Sequence, residues 1–256
     1  MGFLFDDKIF TMQNSQPLIG KIILVTGAAR RLGRVFALAC AKAGADLIIH
    51  YGNSRSQADE TKNEIASLGR KAWTVQADLR QADEAATLIA QANKIGRLYA
   101  LINSAAIFEP LTLQETTLTD WEKHLAVNLT APFLLSQAFA KQVGENKTGR
   151  IVNILDWRAL RPGADHFPYT VSKAALAAMT KSLAIALAPN ISVNGLALGA
   201  ILPPSDQSVN DEILKTVPAK RWGELKEVED ALIFLLTGPA YITGEIIHVD
   251  GGRHLI

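Results

Sequence analysis

The sequence predicts a single α/β domain in which a parallel sheet is covered by helices on both faces. Short continuous apolar runs alternate with helical stretches from Lys21 almost to the C-terminus, the pattern of strands buried on two sides. The chain has 256 residues, 48% of them hydrophobic, enough for one sizeable core. No internal repeat, low-complexity tract or linker divides it. Residues 1–18 fall outside the alternation and read as an N-terminal extension, leaving 19–256 as the domain.

Residues 22–25 (Ile-Ile-Leu-Val) form the first strand, and 34–43 a helix stopped by Gly44. Residues 46–50 form the second strand, 57–68 a helix ended by Gly69, and 72–75 the third strand. A helix over 82–93 precedes the fourth strand, 98–102. One long helical region covers 118–143, followed by the fifth strand at 150–154. A helix over 169–188 follows Pro168, a residue suited to a first turn, with Pro189 past its end. Residues 191–194 give the sixth strand, 227–236 a helix and 245–249 the seventh strand.

Composition narrows the function classes. The 26 basic and 25 acidic residues balance, so there is no global electrostatic reason for nucleic acid or an acidic membrane as partner. The one cysteine, Cys40, excludes an intrachain disulfide and sits in an apolar helical run as a small core residue. The five histidines are scattered without metal-ligand spacing, so no metal site is expected. No apolar run is long enough to span a bilayer. Met1-Gly2-Phe3-Leu4-Phe5-Asp6-Asp7 lacks the basic segment and apolar stretch of a secretion signal. The expectation is a cytoplasmic protein acting on a small molecule.

The first strand runs into Thr26-Gly27-Ala28-Ala29-Arg30-Arg31-Leu32-Gly33 and then a helix. Strand, tight turn and helix start together make a phosphate cradle, because backbone N–H groups and the helix dipole point at one anion. Gly27 makes the turn, and Gly33 lets the helix approach the strand. Arg30, Arg31 and Leu32 lie between them. The segment resembles the fingerprint Thr-Gly-x-x-x-Gly-x-Gly of the short-chain dehydrogenase/reductase family, with Arg31 in place of the middle glycine. The string Gly-Ala-Ala-Arg-Arg-Leu-Gly resembles the pteridine reductase branch of that family. The resemblance covers nearly the whole chain from Lys21. It implies a Rossmann-type, doubly wound, seven-stranded parallel sheet.

Dinucleotide folds that prefer NAD place an acid at the end of the second strand to bind the ribose 2′-OH. Here that end reads His50-Tyr51-Gly52-Asn53-Ser54-Arg55, with no acid. His50, Asn53, Ser54 and Arg55, with Arg30 or Arg31 nearby, can donate to a 2′-phosphate, which a carboxylate would repel. The expected cofactor is NADPH. The resemblance adds Asp78 and Leu79 as adenine contacts, and Asn103-Ser104-Ala105-Ala106 in place of the family's Asn-Asn-Ala-Gly. It also adds Gly199, Ala200 and Ile201 after the sixth strand, where backbone groups would face the cofactor.

Tyr169-Thr170-Val171-Ser172-Lys173 carries the family's Tyr-x-x-x-Lys. At this spacing both side chains share one helix face. A phenol titrates near ~10, and a nearby ammonium is expected to lower that value. The resemblance implies that Asn128 supports a proton relay to Lys173. Asp156 lies thirteen residues before the tyrosine, where most members carry serine. Aspartate there again resembles pteridine reductases and dihydromonapterin reductases. Reduction of a pterin C=N bond needs hydride at carbon and a proton at nitrogen, and a carboxyl group can bind the nitrogen edge. Phe108 stands where pteridine reductases carry the phenylalanine that stacks on the pterin. Arg31, Phe108, Asp156 and Tyr169 are the expected substrate contacts.

Residues 204–222 are expected to form a variable substrate lid. The implied function is an NADPH-dependent reductase of a dihydropteridine (dihydrobiopterin, dihydromonapterin or dihydrofolate). The alternatives are a carbonyl reductase of the 3-oxoacyl-carrier-protein kind, disfavoured by a carboxylate facing a developing alkoxide, and a non-catalytic NADPH sensor. The resemblance also suggests a homotetramer assembled through residues 118–143 and 169–188.

Overall fold

The computed structural model describes residues 16–145, 147–202 and 211–256. Residues 1–15 of the expected extension 1–18, and residues 204–210 of the expected lid 204–222, lie outside the described residues. Among the described residues seven strands alternate with helices: β1 (Ile22–Val25), α1 (Arg31–Lys42), β2 (Asp46–Tyr51), α2 (Arg55–Ser67), β3 (Ala72–Gln76), α3 (Ala82–Asn93) and β4 (Leu98–Asn103). Then follow α4 (Leu118–Leu125), α5 (Ala131–Val143), β5 (Gly149–Asp156), α6 (Phe167–Ala186), β6 (Ile191–Leu198), α7 (Leu225–Thr237) and β7 (Ile246–Val249).

All pairings are parallel, in the order β3-β2-β1-β4-β5-β6-β7. The chain reverses its direction of travel across the sheet between β1 and β4. Such a switch point opens a crevice at the strand ends, where open α/β sheets take ligands.

Continuous apolar strands bury both faces. Ile23, Val25, Leu47, Ile49, Ile102 and Val152 pack with α1, α2 and α7 on one side. Leu24, Ile48, Leu101, Ile151 and Val193 point the other way, against α3 and α5 and Ala184 of α6. The strand period of two explains the split. Leu18, which the sequence assigns to the extension, is buried at 1% exposure and donates its N–H to Ala43 O, so the packed domain reaches back past residue 19.

Two departures from the sequence expectation shape the site. The strands β5 and β6 run further than expected, to Asp156 and Leu198, which makes Asp156 the last residue of a central strand. The single helix expected over 118–143 is divided by a π-helical turn, Ala126–Thr130, that contains Asn128. Apolar periodicity does not register such a turn, because it inserts without a break in composition. Among the described residues, no helix is long and apolar enough to cross a membrane.

Candidate active site

The turn after β1 is held from three directions. Gly27 has φ +65°, a left-handed conformation that suits glycine. A Cβ on Gly33 would lie 2.2 Å from Gly27 O, so only glycine lets α1 start against the turn. Thr26 Oγ1 accepts from the Ser104 and Ala105 N–H groups at 2.9 and 3.0 Å, tying the loop to the end of β4. Arg31, in the place of the family glycine, keeps a positive φ of 52°, a conformation that costs a side-chain-bearing residue about 1–2 kcal/mol. The first turn of α1 carries no acidic side chain, which leaves its dipole open to an anion.

His50 does not act as the expected phosphate donor. It is buried, its Nδ1 accepts from the Gly27 N–H at 3.1 Å, and its Nε2 meets Ala77 O at 3.0 Å. A carbonyl only accepts, so the proton resides on Nε2. Burial lowers the ring's pKa to about 4, partly opposed by the Ala77 hydrogen bond. A neutral imidazole thus props the glycine turn.

A cavity of about 670 Å³ opens over the turn. Gly27, Arg30, Arg31, Leu32 and Gly33 line one end, and Tyr51, Asn53 and Ser54 line the β2 side. Asp78 and Leu79 form the opposite wall with Ser104 and Ala105. Asp78 is paired with Arg80 at 2.6 Å, and that hydrogen bond holds its carboxyl below the ordinary range. Arg55, expected as a phosphate donor, heads α2 directly after Ser54 but is not among the residues lining the cavity; it is largely exposed and 3.9 Å from Asp59. Asn103 is not brought to the wall. Its Nδ2 donates to Asn153 Oδ1 at 2.8 Å, and Asn153 donates on to Thr180 Oγ1, a buried polar ladder between β4, β5 and α6. Gly199 packs against Asp250, while Ala200 and Ile201 border a separate cavity of about 460 Å³ beside β7.

The reactive side chains gather where β5 ends and α6 begins, and none of them lines the cavity over the glycine turn. Tyr169, in the first turn of α6, donates its hydroxyl to Asp156 Oδ2 at 3.2 Å. Lys173, one turn on, is buried and donates to Ile154 O at 2.7 Å, with Nζ 5.7 Å from the Tyr169 ring centroid. Phe108 meets the Tyr169 ring edge-on at 4.7 Å and stacks on His166 at 4.1 Å. Phenol, amine, carboxyl and aromatic face are therefore gathered in one place.

The expected lowering of the Tyr169 pKa by Lys173 is not what the geometry gives. Burial, then the charge and hydrogen bond of Asp156, push the phenol well above its ordinary value. Burial lowers Lys173 to about 8, and Asp156 opposes this. Asn128, expected to support a relay to Lys173, has its side-chain amide fully engaged by neighbouring groups. Its Oδ1 accepts from Ile107 N–H at 2.8 Å, and its Nδ2 donates to Ile107 O and Ser172 Oγ, each at 3.0 Å. The amide is spent fixing the segment that carries Phe108.

Sequence reasoning missed the groups around Asp156. The Arg158 N–H donates to Asp156 Oδ1 at 2.9 Å, and its guanidinium lies 3.6 Å from Asp156 and 2.6 Å from Asp165. Arg158 holds the Asp165 carboxyl down at about 2 against the cost of burial. His166 precedes α6 with φ +51°. A basic residue two positions after a strand-ending acid was the available signal for Arg158.

A family model described as enoyl-(acyl carrier protein) reductase matches residues 27–254. A 3-oxoacyl-[acyl-carrier-protein] reductase of Synechocystis sp. is 36% identical over 240 residues, covering 92% of this chain and 97% of that protein. The crystal structure of FolM alternative dihydrofolate reductase 1 from Brucella canis, complexed with NADP, is 34% identical with a TM-score of 0.86, covering 94% and 96% of the two chains. A short-chain dehydrogenase from Burkholderia cenocepacia in complex with NADP is 33% identical with a TM-score of 0.87, covering 93% and 99%.

Proposed function

The chain belongs to the short-chain dehydrogenase/reductase family and is an NADP-dependent oxidoreductase; on that premise we propose that it reduces the C=N bond of a dihydropteridine. The Asp156–Tyr169 contact at 3.2 Å carries this reading. A carboxylate beside the phenol accepts hydrogen bonds from the N–H edge of a pterin, whereas it repels the oxyanion that forms when a ketone is reduced.

The turn after β1 suits NADPH. Its N–H groups and the Gly33 approach leave room for a pyrophosphate, and Arg30, Asn53 and Ser54 stand where a 2′-phosphate would lie. NADPH supplies the hydride when bound. The chain's own side chains hold the proton. Tyr169 stays protonated at neutral pH, because burial and Asp156 disfavour the phenolate, and it serves as the acid at the substrate nitrogen. Lys173, brought by burial to about 8, holds an exchangeable proton at Nζ beside that phenol. Asp156 orients the hydroxyl and the substrate edge, and Phe108 supplies an aromatic face for a flat ring.

The acyl-carrier-protein reductase relatives support a second reading, reduction of a 3-oxoacyl thioester. NADPH consumption measured side by side with a dihydropterin and with an acetoacetyl thioester tests both. Turnover of the thioester alone rejects the pterin reading. The exposed Leu118, Phe133 and Ile185 of α4, α5 and α6 support assembly as a tetramer through those helices, which sedimentation would test.

A further inference from the structure

We propose that Arg253, with Arg161 and the Trp157 ring, forms a subsite for an anionic group that the substrate carries away from its reacting bond. The proposal rests on the reductase reading above but not on which bond is reduced. Trp157 directly follows Asp156. Its indole is shared by two guanidinium groups: Arg158 at 4.8 Å and Arg253 at 4.2 Å from the ring centroid. Arg158 also stands 6.0 Å from the Phe108 ring. A series of ring and guanidinium contacts thus leads from Phe108, beside Tyr169, through Arg158 and Trp157 to Arg253.

The charges along this series are answered unequally. Arg158 is paired with Asp165 and Asp156. Arg253 has no carboxylate of the described residues within ion-pair distance. Its neighbour Asp250 is taken by the Gly252 and His254 N–H groups and the His254 ring. Arg253 Nε is buried without an acceptor, so its charge can be answered only through its terminal nitrogens. Arg161, exposed where Arg253 is half-buried, adds a second cation, whose Nη1 donates to Arg253 O at 3.3 Å. Burial, then repulsion from Arg158, disfavours the charge on Arg253, only partly opposed by the more distant charges of Asp156, Asp165 and Asp250. A carboxylate or phosphate at this spot gains charge-assisted hydrogen bonds and relieves the repulsion between like charges.

Two matched substrate pairs test this. Dihydrofolate and dihydrobiopterin share a ring and differ in an ionised carboxylate tail. Acetoacetyl-coenzyme A and acetoacetyl-N-acetylcysteamine share a thioester and differ in phosphate. In each pair that turns over, kcat/KM is expected to favour the charged member by roughly tenfold or more. The ratio should collapse in Arg253→Gln, survive in part in Arg253→Lys, and shrink as salt rises. Dissociation constants from calorimetry on NADPH-saturated protein read the same ratio without turnover. A ratio near unity in the wild type, or one that Arg253→Gln leaves intact, overturns the inference. Turnover of the thioesters but of neither pteridine rejects the pterin reading alone, since the thioester pair still reports on Arg253.

Discussion

The Tyr169 hydroxyl donates to Asp156 Oδ2 at 3.2 Å, joining the first turn of α6 to the last residue of β5. The contact keeps a proton on the phenol where a serine hydroxyl would leave the phenolate less opposed. The same carboxylate accepts from the Arg158 N–H, so its second oxygen and its orientation are fixed.

Replacing Asp156 by Ser restores the common residue of the family and removes the charge. Asp156→Ser is expected to lose roughly a hundredfold or more in kcat with a dihydropterin, the scale of a displaced proton-transfer group. Activity toward an acetoacetyl thioester should rise or hold. Parallel steady-state assays check this, and equal loss toward both substrates would contradict the role given to the carboxylate.

Tyr169→Phe removes the transferable proton and leaves the ring that contacts Phe108. Turnover is expected to fall roughly a hundred- to ten-thousandfold. NADPH binding, read by titration calorimetry, should persist because Tyr169 is not among the residues lining the cavity over the glycine turn. Near-normal turnover would remove the phenol from the mechanism.

The β2 end lacks a carboxylate, and Arg30, from the turn before α1, lines the same cavity as Asn53 and Ser54. Arg30→Ala is expected to weaken NADPH by roughly tenfold, the worth of a charge-assisted bond to a 2′-phosphate, while NADH affinity changes far less. Fluorescence titrations with both nucleotides check the difference. A parallel loss for the two would place Arg30 on the pyrophosphate instead.

The sheet and the reactive pair were legible in the sequence because apolar runs and the Tyr-x-x-x-Lys spacing report directly on burial and on a shared helix face. The polar scaffolding was not. His50, Asn103 and Asn128 carry residue types suited to ligands, yet their partners are Gly27, Asn153 and Ile107. Those contacts span the sequence and leave no local pattern. The Tyr169 pKa was misread for a related reason. Spacing sets Lys173 beside the phenol, but only the fold reveals that the ammonium is bound to Ile154 O while the carboxylate faces the hydroxyl.

Lys173 is buried with its pKa lowered from an ordinary 10.5 to about 8. Between those values the unfolded chain holds a proton that the folded chain has lost. Stability must therefore rise with pH across that window, and the cost of burying the ammonium is fully present below it. The size is on the order of 3 kcal/mol. The Tyr169 phenol and the Cys40 thiol, both raised in the fold by burial, act oppositely once the unfolded tyrosine ionises near ~10 and the unfolded cysteine near ~8.5, so it is the difference between the wild type and a variant without the lysine that isolates Lys173. Urea unfolding of the nucleotide-free protein, compared with Lys173→Met across that range, should show the wild type gaining stability relative to the variant as pH rises. Parallel pH dependences in the two proteins would mean that the ammonium is not held at the cost its burial implies, and that Lys173 enters the site already well solvated.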